Sequence, residues 1–421
     1  MNKSKRIIFL ILVSGLLLRF FLFFGFLDNQ ELFYDDDSLG YVQLAENMKE
    51  GRGFSWDEKE PFRPNSFRTP GYPLFLLLNR LLFGSYLPAL LVQFLLVAAS
   101  AYILFLIAES LGSRRIGEIG AAIFLFMPFS VLVSLQFLTQ SLFAFVLMLA
   151  VWFWLLFLKK RQTRYFLFVS ALLPVLALIR PIAIFLYLPF VISLFQSLWT
   201  SDKKRTVYLS AFLILIFFLL LSPWLLRNYL LFGEYSLSSI GPYQLYFYEA
   251  PPVYAFNHNV SRAEAGELLE REIEKYTHAS AFEEYPTFAH SDILSQKGRE
   301  IIFESPAGLV FLKVIQGFKF FIRDGIRYWL EQRGLGLVLA ERAFLFVIFL
   351  GMIASLSLFL KKDFPNRPYH FFFILIIFYF AFLTGAMASA GFRFVVEPLF
   401  ILTGLTGVKQ VISMRRSKKI Y

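Results

Sequence analysis

Three carboxylates stand in a row at Asp35, Asp36 and Asp37, and the chain continues Ser38-Leu39-Gly40-Tyr41. Ser38 reads as the N-cap of a helix over 38–50, because Tyr41, Leu44, Ala45 and Met48 would share one face. Asp37 then sits at a helix start, where negative charge is favoured. A carboxylate there can take a proton from a hydroxyl or help hold a divalent cation. A solvated acidic loop tip is the bland alternative. Further on, Arg63-Pro64-Asn65-Ser66-Phe67-Arg68-Thr69-Pro70-Gly71-Tyr72-Pro73 sets two guanidiniums on an irregular backbone, and Pro73 suits the first turn of a short helix. More arginines recur at the ends of apolar runs: Arg180 before Pro181, Arg227 in Pro223-Trp224-Leu225-Leu226-Arg227-Asn228-Tyr229, and Arg393 in Phe392-Arg393-Phe394. A guanidinium fork fits phosphate oxygens. For any single arginine, snorkelling to the interface explains it equally well. Arg19 lies deeper and has no assigned role beyond snorkelling or pairing in the bundle.

The elements that must carry these residues are apolar. The 421 residues are 57% hydrophobic and 17% charged, with mean hydropathy +0.61. Soluble domains are about 45–50% apolar and about 25% charged, so a soluble enzyme, a disordered chain and a fibre are excluded. No cysteine is present, which removes disulfides, thiol catalysis and Cys-ligated metals. Ten runs approach the ~20 residues a bilayer requires: 7–27, 86–110, 116–135, 140–158, 165–180, 182–199, 207–226, 341–360, 369–388 and 392–412. The first follows Lys3, Lys5 and Arg6. It is too long for a signal-peptide core and lacks a small-residue cleavage site, so it reads as a retained helix.

Basic residues crowd one set of short connections: Arg114-Arg115, Lys159-Lys160-Arg161 with Arg164, Lys203-Lys204-Arg205, Lys361-Lys362 with Arg367, and Arg415-Arg416 with Lys418-Lys419. By the positive-inside rule that side is cytoplasmic, both termini included. Its charge is +16, Arg19 adds one, and the opposite side carries −6, which accounts for the formal +11. The basic pI near 9.6 is thus a topology signal and gives no support to nucleic-acid binding. The expected organisation is all-α and polytopic: 1–226 as a transmembrane module whose first outer loop is 28–85, 227–340 as an outer-face segment, and 341–421 as a three-helix membrane module. Within the second, 261–276 reads as a helix capped by Ser261 and Glu264. Residues 306–330, with Lys313, Lys319, Arg323 and Arg327, read as an interfacial helix, an extra span being the alternative. Tyr243, Gln244, Tyr246 and Tyr248 could stack on or bond to sugars, or anchor at the interface. His258, His278, His290 and His370 have no ligand spacing and read as solvated loop residues.

Taken in order, Asp37-Ser38-Leu39-Gly40-Tyr41, then Ala45, Gly51 and Gly53, Arg68 through Leu74, Thr139-Gln140-Ser141-Leu142-Phe143, Arg180-Pro181, Pro223-Trp224 with Arg227-Asn228-Tyr229 and Phe232-Gly233, and Arg393-Phe394 with Glu397-Pro398 resemble the GT-C superfamily of glycosyltransferases. The closest flavour is the family-39, protein-mannosyltransferase-like group, which includes the aminoarabinose transferase of lipid A. The resemblance implies a GT-C-like bundle of about ten spans in the cell membrane, with interfacial helices in the first outer loop. It implies an enzyme that moves a sugar from a polyprenyl-phosphate donor to a glycan, lipid or protein acceptor on the outer face, with inversion in that family's manner. Asp37 would be catalytic, with Asp36 the near alternative. Arg68, Arg63, Arg180, Arg227 and Arg393 would meet the donor phosphate. Tyr41, Tyr72, Gln140, Asn228, Tyr243 and Gln244 would shape the sugar and acceptor site. Where the family often carries an acid, this chain has Gln140. A magnesium or manganese ion, if used, would therefore fall to Asp36 and Asp37. A transporter or flippase of lipid-linked intermediates, or a non-catalytic relative, are the competing readings.

Overall fold

The computed structural model describes residues 3–277, 287–325, 335–359, 366–384 and 389–417. His278, Arg327, Lys361, Lys362, Asp363, Lys418 and Lys419 lie outside the described residues. Those described form nineteen α-helices and no strand. In chain order they are α1 (Lys3–Gly25), α2 (Asp36–Lys49), α3 (Gly71–Phe83), α4 (Leu87–Ser110), α5 (Arg114–Phe126), α6 (Pro128–Ser134) and α7 (Gln140–Lys160). Next come α8 (Thr163–Ile179), α9 (Tyr187–Leu198), α10 (Lys203–Phe232), α11 (Ile240–Gln244), α12 (Ala250–His258), α13 (Arg262–Thr277), α14 (Ser291–Glu304) and α15 (Pro306–Ile322). The last are α16 (Leu335–Phe359), α17 (Arg367–Leu383), α18 (Ala390–Phe394) and α19 (Glu397–Ser417). An all-helical answer is what apolar surroundings require, since a helix satisfies its own backbone.

Six helical segments are long and apolar enough to cross a membrane, or eight if each of two bent pairs is one span. Helices lie on all ten apolar runs, but not all as single spans. The run 116–135 breaks at Met127, where Pro128 ends the ladder of α5 and α6 departs at 57°. The helices α8 and α17 are short, at 17 residues each. The last run divides into α18 and α19. Within 306–330 the described residues form α15, bent by 100° from the helix before it. Its Lys313 does not snorkel freely: its Nζ lies 2.9 Å from a carboxylate oxygen of Glu249.

Two N-termini decide local register. Ser261 accepts from the Glu264 N–H at 3.1 Å and opens α13 as its spacing predicts. The helix α2 begins two residues before its predicted start, with Asp35 as N-cap. Ser38 is its third residue, and its hydroxyl accepts from the Asp35 N–H at 3.0 Å. The reason is that Asp35 caps as well as Ser38 does and leaves Asp36 and Asp37 in the first turn, where carboxylates are stabilised. His370 corrects another expectation. It is buried in α17, 4% exposed, rather than solvated in a loop.

The helices α16 and α19 cross most closely. A side-chain carbon at Gly404 would lie 2.6 Å from the Ile348 carbonyl oxygen, and Gly351 and Gly407 face each other backbone to backbone with no room for one. Small residues let membrane helices approach this way. Replacing Gly407 with Ala should cost about 1–3 kcal/mol of stability through overpacking, read as a lower unfolding midpoint in detergent. An unchanged midpoint would show that the crossing tolerates separation.

Candidate active site

The loop before α3 is pinned by side chains rather than by regular structure. Asn65 Oδ1 accepts from the backbone N–H of Phe67 and of Arg68, at 3.0 and 2.9 Å. Ser239 N donates to the Ser66 carbonyl at 2.9 Å, and their hydroxyls meet at 3.2 Å. From α10, Arg227 donates to the Asn65 carbonyl at 2.9 Å. At Gly71 the loop touches the end of α8: an added side-chain carbon would sit 2.7 Å from the Leu178 carbonyl oxygen. That close approach brings the Thr69-Pro70-Gly71 turn beside Arg180, the residue that ends α8. The helix α2 is held in place by Glu46, which accepts from the Tyr86 hydroxyl at 2.6 Å and faces Arg80 at 3.5 Å.

These ties enclose a cavity of about 1320 Å³. Asp37, Tyr41, Arg68, Thr139, Gln140 and Arg180 line its polar end. Tyr243, Gln244, Tyr248 and Glu249 line it from the second large segment. Ile182, Phe185, Phe218, Leu383 and Phe392 form an apolar wall.

Arg68 is the centre of the polar end. One amine of its guanidinium pairs with the Asp37 carboxylate, and another donates to the Tyr41 hydroxyl at 3.3 Å. Its plane lies over the Tyr41 and Phe67 rings, at 4.8 and 5.0 Å. The Arg68 side chain is 13% exposed and that of Asp37 57%, so the carboxylate reaches open space while its partner is sealed. Burial opposes the Arg68 charge, but Tyr41 and Asp37 outweigh it and hold the guanidinium above its usual value. Burial, with Asp37 adding, pushes the Tyr41 phenol up against the pull of Arg68 and Arg180. Tyr41 therefore stays protonated and acts as a hydrogen-bonding group.

Arg180 stacks over Phe392 at 4.6 Å. Its Nη1, and Nε of Arg68, are buried with no hydrogen-bond acceptor among the described residues. Only Arg68 pairs with the Asp37 carboxylate, and buried donors on both arginines stand unanswered among the described residues. Such donors cost free energy until an anion fills the space. The other charges at the cavity are paired. Arg63, 79% exposed, forks onto Asp57 at 3.0 and 3.3 Å, and Lys313 pairs with Glu249.

Not every expected residue arrives. Arg393 is fully buried in α18, 3.3 Å from Glu397, and donates to the carbonyls of Phe320 and Arg323, so it ties α15 to the bundle instead of lining the cavity. Arg227 is spent on the Asn65 carbonyl and on the Trp224 ring at 4.7 Å. Asn228 holds the Ser236 and Leu237 carbonyls at 2.7 and 3.2 Å. Tyr72 is buried, its hydroxyl donating to Gln93 at 2.7 Å. Tyr246 donates to the Leu269 carbonyl at 2.7 Å. The Asp36 backbone lies in the first turn of α2, and its side chain is outside the description. Residues missed from sequence are Trp56 and the Glu249–Lys313 pair. Glu249 closes a single π-helical turn, Leu245–Glu249, and its one clue was a charge ending an aromatic run.

Among the described side chains no ready-made divalent-cation site is gathered. Asp37 is already paired with a guanidinium, Gln140 offers only a neutral amide, and no group of three His, Cys, Asp or Glu gathers among the described residues. Hard divalent cations take several oxygen ligands with carboxylates among them.

A bundle of long apolar helices with two arginines and a carboxylate at one cavity is the class that fold and site define. Residues 67–226 match the family model described as dolichyl-phosphate-mannose-protein mannosyltransferase. The whole chain aligns with the crystal structure of the oligosaccharyltransferase of Archaeoglobus fulgidus in the apo form, at TM-score 0.57 and 14% identity, covering 100% of this chain and 52% of that one. Oligosaccharyltransferase AglB from Archaeoglobus fulgidus, in complex with an inhibitory peptide and a dolichol-phosphate, aligns at 0.51 and 12%, with coverage of 100% and 52%. The Archaeoglobus fulgidus oligosaccharyltransferase with zinc and sulfate aligns at 0.53 and 14%, with coverage of 96% and 50%. This chain spans about half the length of those solved structures. No curated protein matches it in sequence. The chain is thus similar to GT-C superfamily glycosyltransferases, in sequence over the matched segment and in fold throughout.

Replacing Gly71 with Ala should push the loop off the end of α8 and cost about 1–3 kcal/mol. Thermal unfolding in detergent reads this, and an unaltered midpoint would mean the contact with Leu178 can yield freely.

Proposed function

We propose that the chain is a membrane glycosyltransferase that moves a sugar from a polyprenyl-phosphate donor to a hydroxyl acceptor on the outer face. The observation that carries this is the pair Arg68 and Arg180, with buried donors unanswered, beside a carboxylate in a cavity that has an apolar wall. A lipid phosphodiester presents oxygens to the guanidiniums and an isoprenoid chain to Phe185, Phe218 and Leu383. Those three side chains are 38–49% exposed, as a wall facing lipid would be.

In this reaction the acceptor oxygen attacks the anomeric carbon and the bond from that carbon to the phosphate oxygen breaks. Asp37 takes the acceptor proton, and the polyprenyl phosphate leaves with its charge held by Arg68 and Arg180. A single displacement inverts the anomeric carbon. In the empty site Asp37 is bound to Arg68, so donor phosphate and Asp37 compete for one guanidinium. Donor arrival then frees the base.

Asp37→Asn should reduce transfer from a labelled lipid donor by about 10²–10⁴-fold, the usual worth of a general base. It should leave binding of unglycosylated polyprenyl phosphate intact or tighter. Wild-type transfer in this variant would remove Asp37 from the mechanism. Arg180→Ala should weaken that binding about tenfold or more, since bonds to charged groups contribute roughly 1.5–3 kcal/mol.

The proposed orientation puts both termini in the cytoplasm of a multi-pass cell-membrane protein. The chain has no cysteine, so single substitutions report topology directly. Cysteines at Glu58 and Arg271 should react with an impermeant maleimide in intact cells, and cysteines at Lys160 and Lys204 only after permeabilisation. The reverse pattern would invert the topology.

A further inference from the structure

Gln93 and Arg19 do not line the cavity, yet both bear on its walls. Gln93, on α4, is fully buried. Its carbonyl accepts from the Tyr72 hydroxyl at 2.7 Å, and its amide donates to the carbonyls of Ser134 at 3.2 Å and Gln136 at 2.8 Å. One side chain therefore joins two segments. The first is the start of α3, which follows directly from Arg68. The second is the turn after α6, which leads to Thr139 and Gln140.

Arg19 grips the same turn from α1. It is fully buried and has no acidic partner among the described residues. Its Nε donates to Ser134 Oγ at 3.0 Å, and its Nη2 to the carbonyl and hydroxyl of Ser130 at 3.2 and 3.0 Å. Its Nη1 donates to the carbonyls of Leu125 at 2.9 Å and Gly15 at 3.1 Å. Part of this is plain backbone satisfaction. Leu125 lies in the last turn of α5, where the ladder has ended, and an unpaired carbonyl in apolar surroundings is costly.

The contacts do not stop there. The Tyr72 ring sits edge-on to Tyr41 at 5.1 Å, Tyr41 accepts from Arg68, and Arg68 pairs with Asp37. A buried path runs from Arg19 through Ser134, Gln93, Tyr72 and Tyr41 to the two charged groups of the site. We infer that Gln93 and Arg19 are positioning residues, which hold the Arg68 wall and the Gln140 wall of the cavity in mutual register without touching substrate. Fully satisfied buried networks of this kind specify one geometry, and loss of one member leaves several groups unpaired.

For its catalytic half this inference rests on the proposed sugar transfer; its structural half does not. The test uses the full chain carrying Gln93→Met, Tyr72→Phe, both together, or Arg19→Lys. Amide hydrogen exchange in detergent reads the two segments directly. Gln93→Met should speed exchange about tenfold or more in peptides over 65–72 and 135–142, with α8 unchanged. Transfer from a labelled polyprenyl-phosphate sugar is measured in membranes and normalised to folded protein. Turnover should fall about tenfold or more while the donor KM stays within about twofold, because misplacement of a reacting group by an ångström suffices for such a loss. The double variant should be no worse than Gln93→Met alone, since both remove one linkage. Arg19→Lys keeps the charge but not the five bonds, and should show the same split.

Native exchange rates in either segment would overturn the inference. So would unchanged turnover per folded molecule with only a lower unfolding midpoint, the mark of a purely structural role. If the wild type transfers no sugar from the lipid donor, the proposed function fails and the exchange result alone decides the positioning role.

Discussion

The guanidinium of Arg19, meeting the carbonyls of Gly15, Leu125 and Ser130 inside the bundle, is the interaction from which the rest of the structure follows. Apolar surroundings forbid unpaired backbone, so a broken helix there needs a donor from elsewhere. Pro128 breaks the ladder between α5 and α6, and Arg19 supplies the donor. The break lets α6 turn and deliver the 135–139 stretch to the cavity, and Gln93 then fastens that stretch to Tyr72 and α3. Without the satisfied break, a continuous span would carry this stretch elsewhere.

The second organising feature is the uneven pairing of charge. Several charges among the described residues are paired within the fold, Arg63 with Asp57, Lys313 with Glu249, Arg393 with Glu397 and Arg342 with Asp324, although Nη2 of Arg393 and Oε2 of Glu397 stay without a partner there. The Lys313 and Arg342 pairs tie segments well separated in the chain. Arg68 and Arg180 line the head of the cavity. Arg68 pairs with Asp37, Arg180 has no ion pair among the described residues, and a buried nitrogen on each is left without an acceptor there. Removing an unpaired charge from water is expensive, so this arrangement reads as a site prepared for an anion. The Gly71 contact with the end of α8 is what brings the two arginines together.

Much of this was legible in sequence. Helices lie on the apolar runs, because length and hydropathy are local properties, but six of them, or eight counting bent pairs, are long enough to span rather than ten. The start of α13 was readable from Ser261 and Glu264 for the same reason. The start of α2 was misplaced by two residues, because Asp35 and Ser38 are both good caps and adjacent acids leave the choice to packing. Among the arginines, sequence did not distinguish those that line the cavity from those that bind backbone carbonyls. Arg68 and Arg180 reached the cavity. Arg227 and Arg393 became ties to backbone carbonyls, since a guanidinium that suits phosphate suits a carbonyl equally well. His370 went to the core for want of any local signal that its helix face would be covered.

What the sequence determined alone was the solvent and the alphabet of the site: an apolar, helical chain without cysteine, with carboxylates at one helix start and arginines at several ends. Those follow from composition and short-range pattern, and no tertiary contact is needed to read them. Which carboxylate meets which guanidinium, which arginines stay unanswered, and how Gln93 joins two walls were decided only by the tertiary structure. The physical reason is range. Caps and spans act over one turn or one bilayer thickness, whereas the site depends on contacts between segments far apart in the chain, 31 positions for Arg68 with Asp37 and 115 for Arg19 with Ser134.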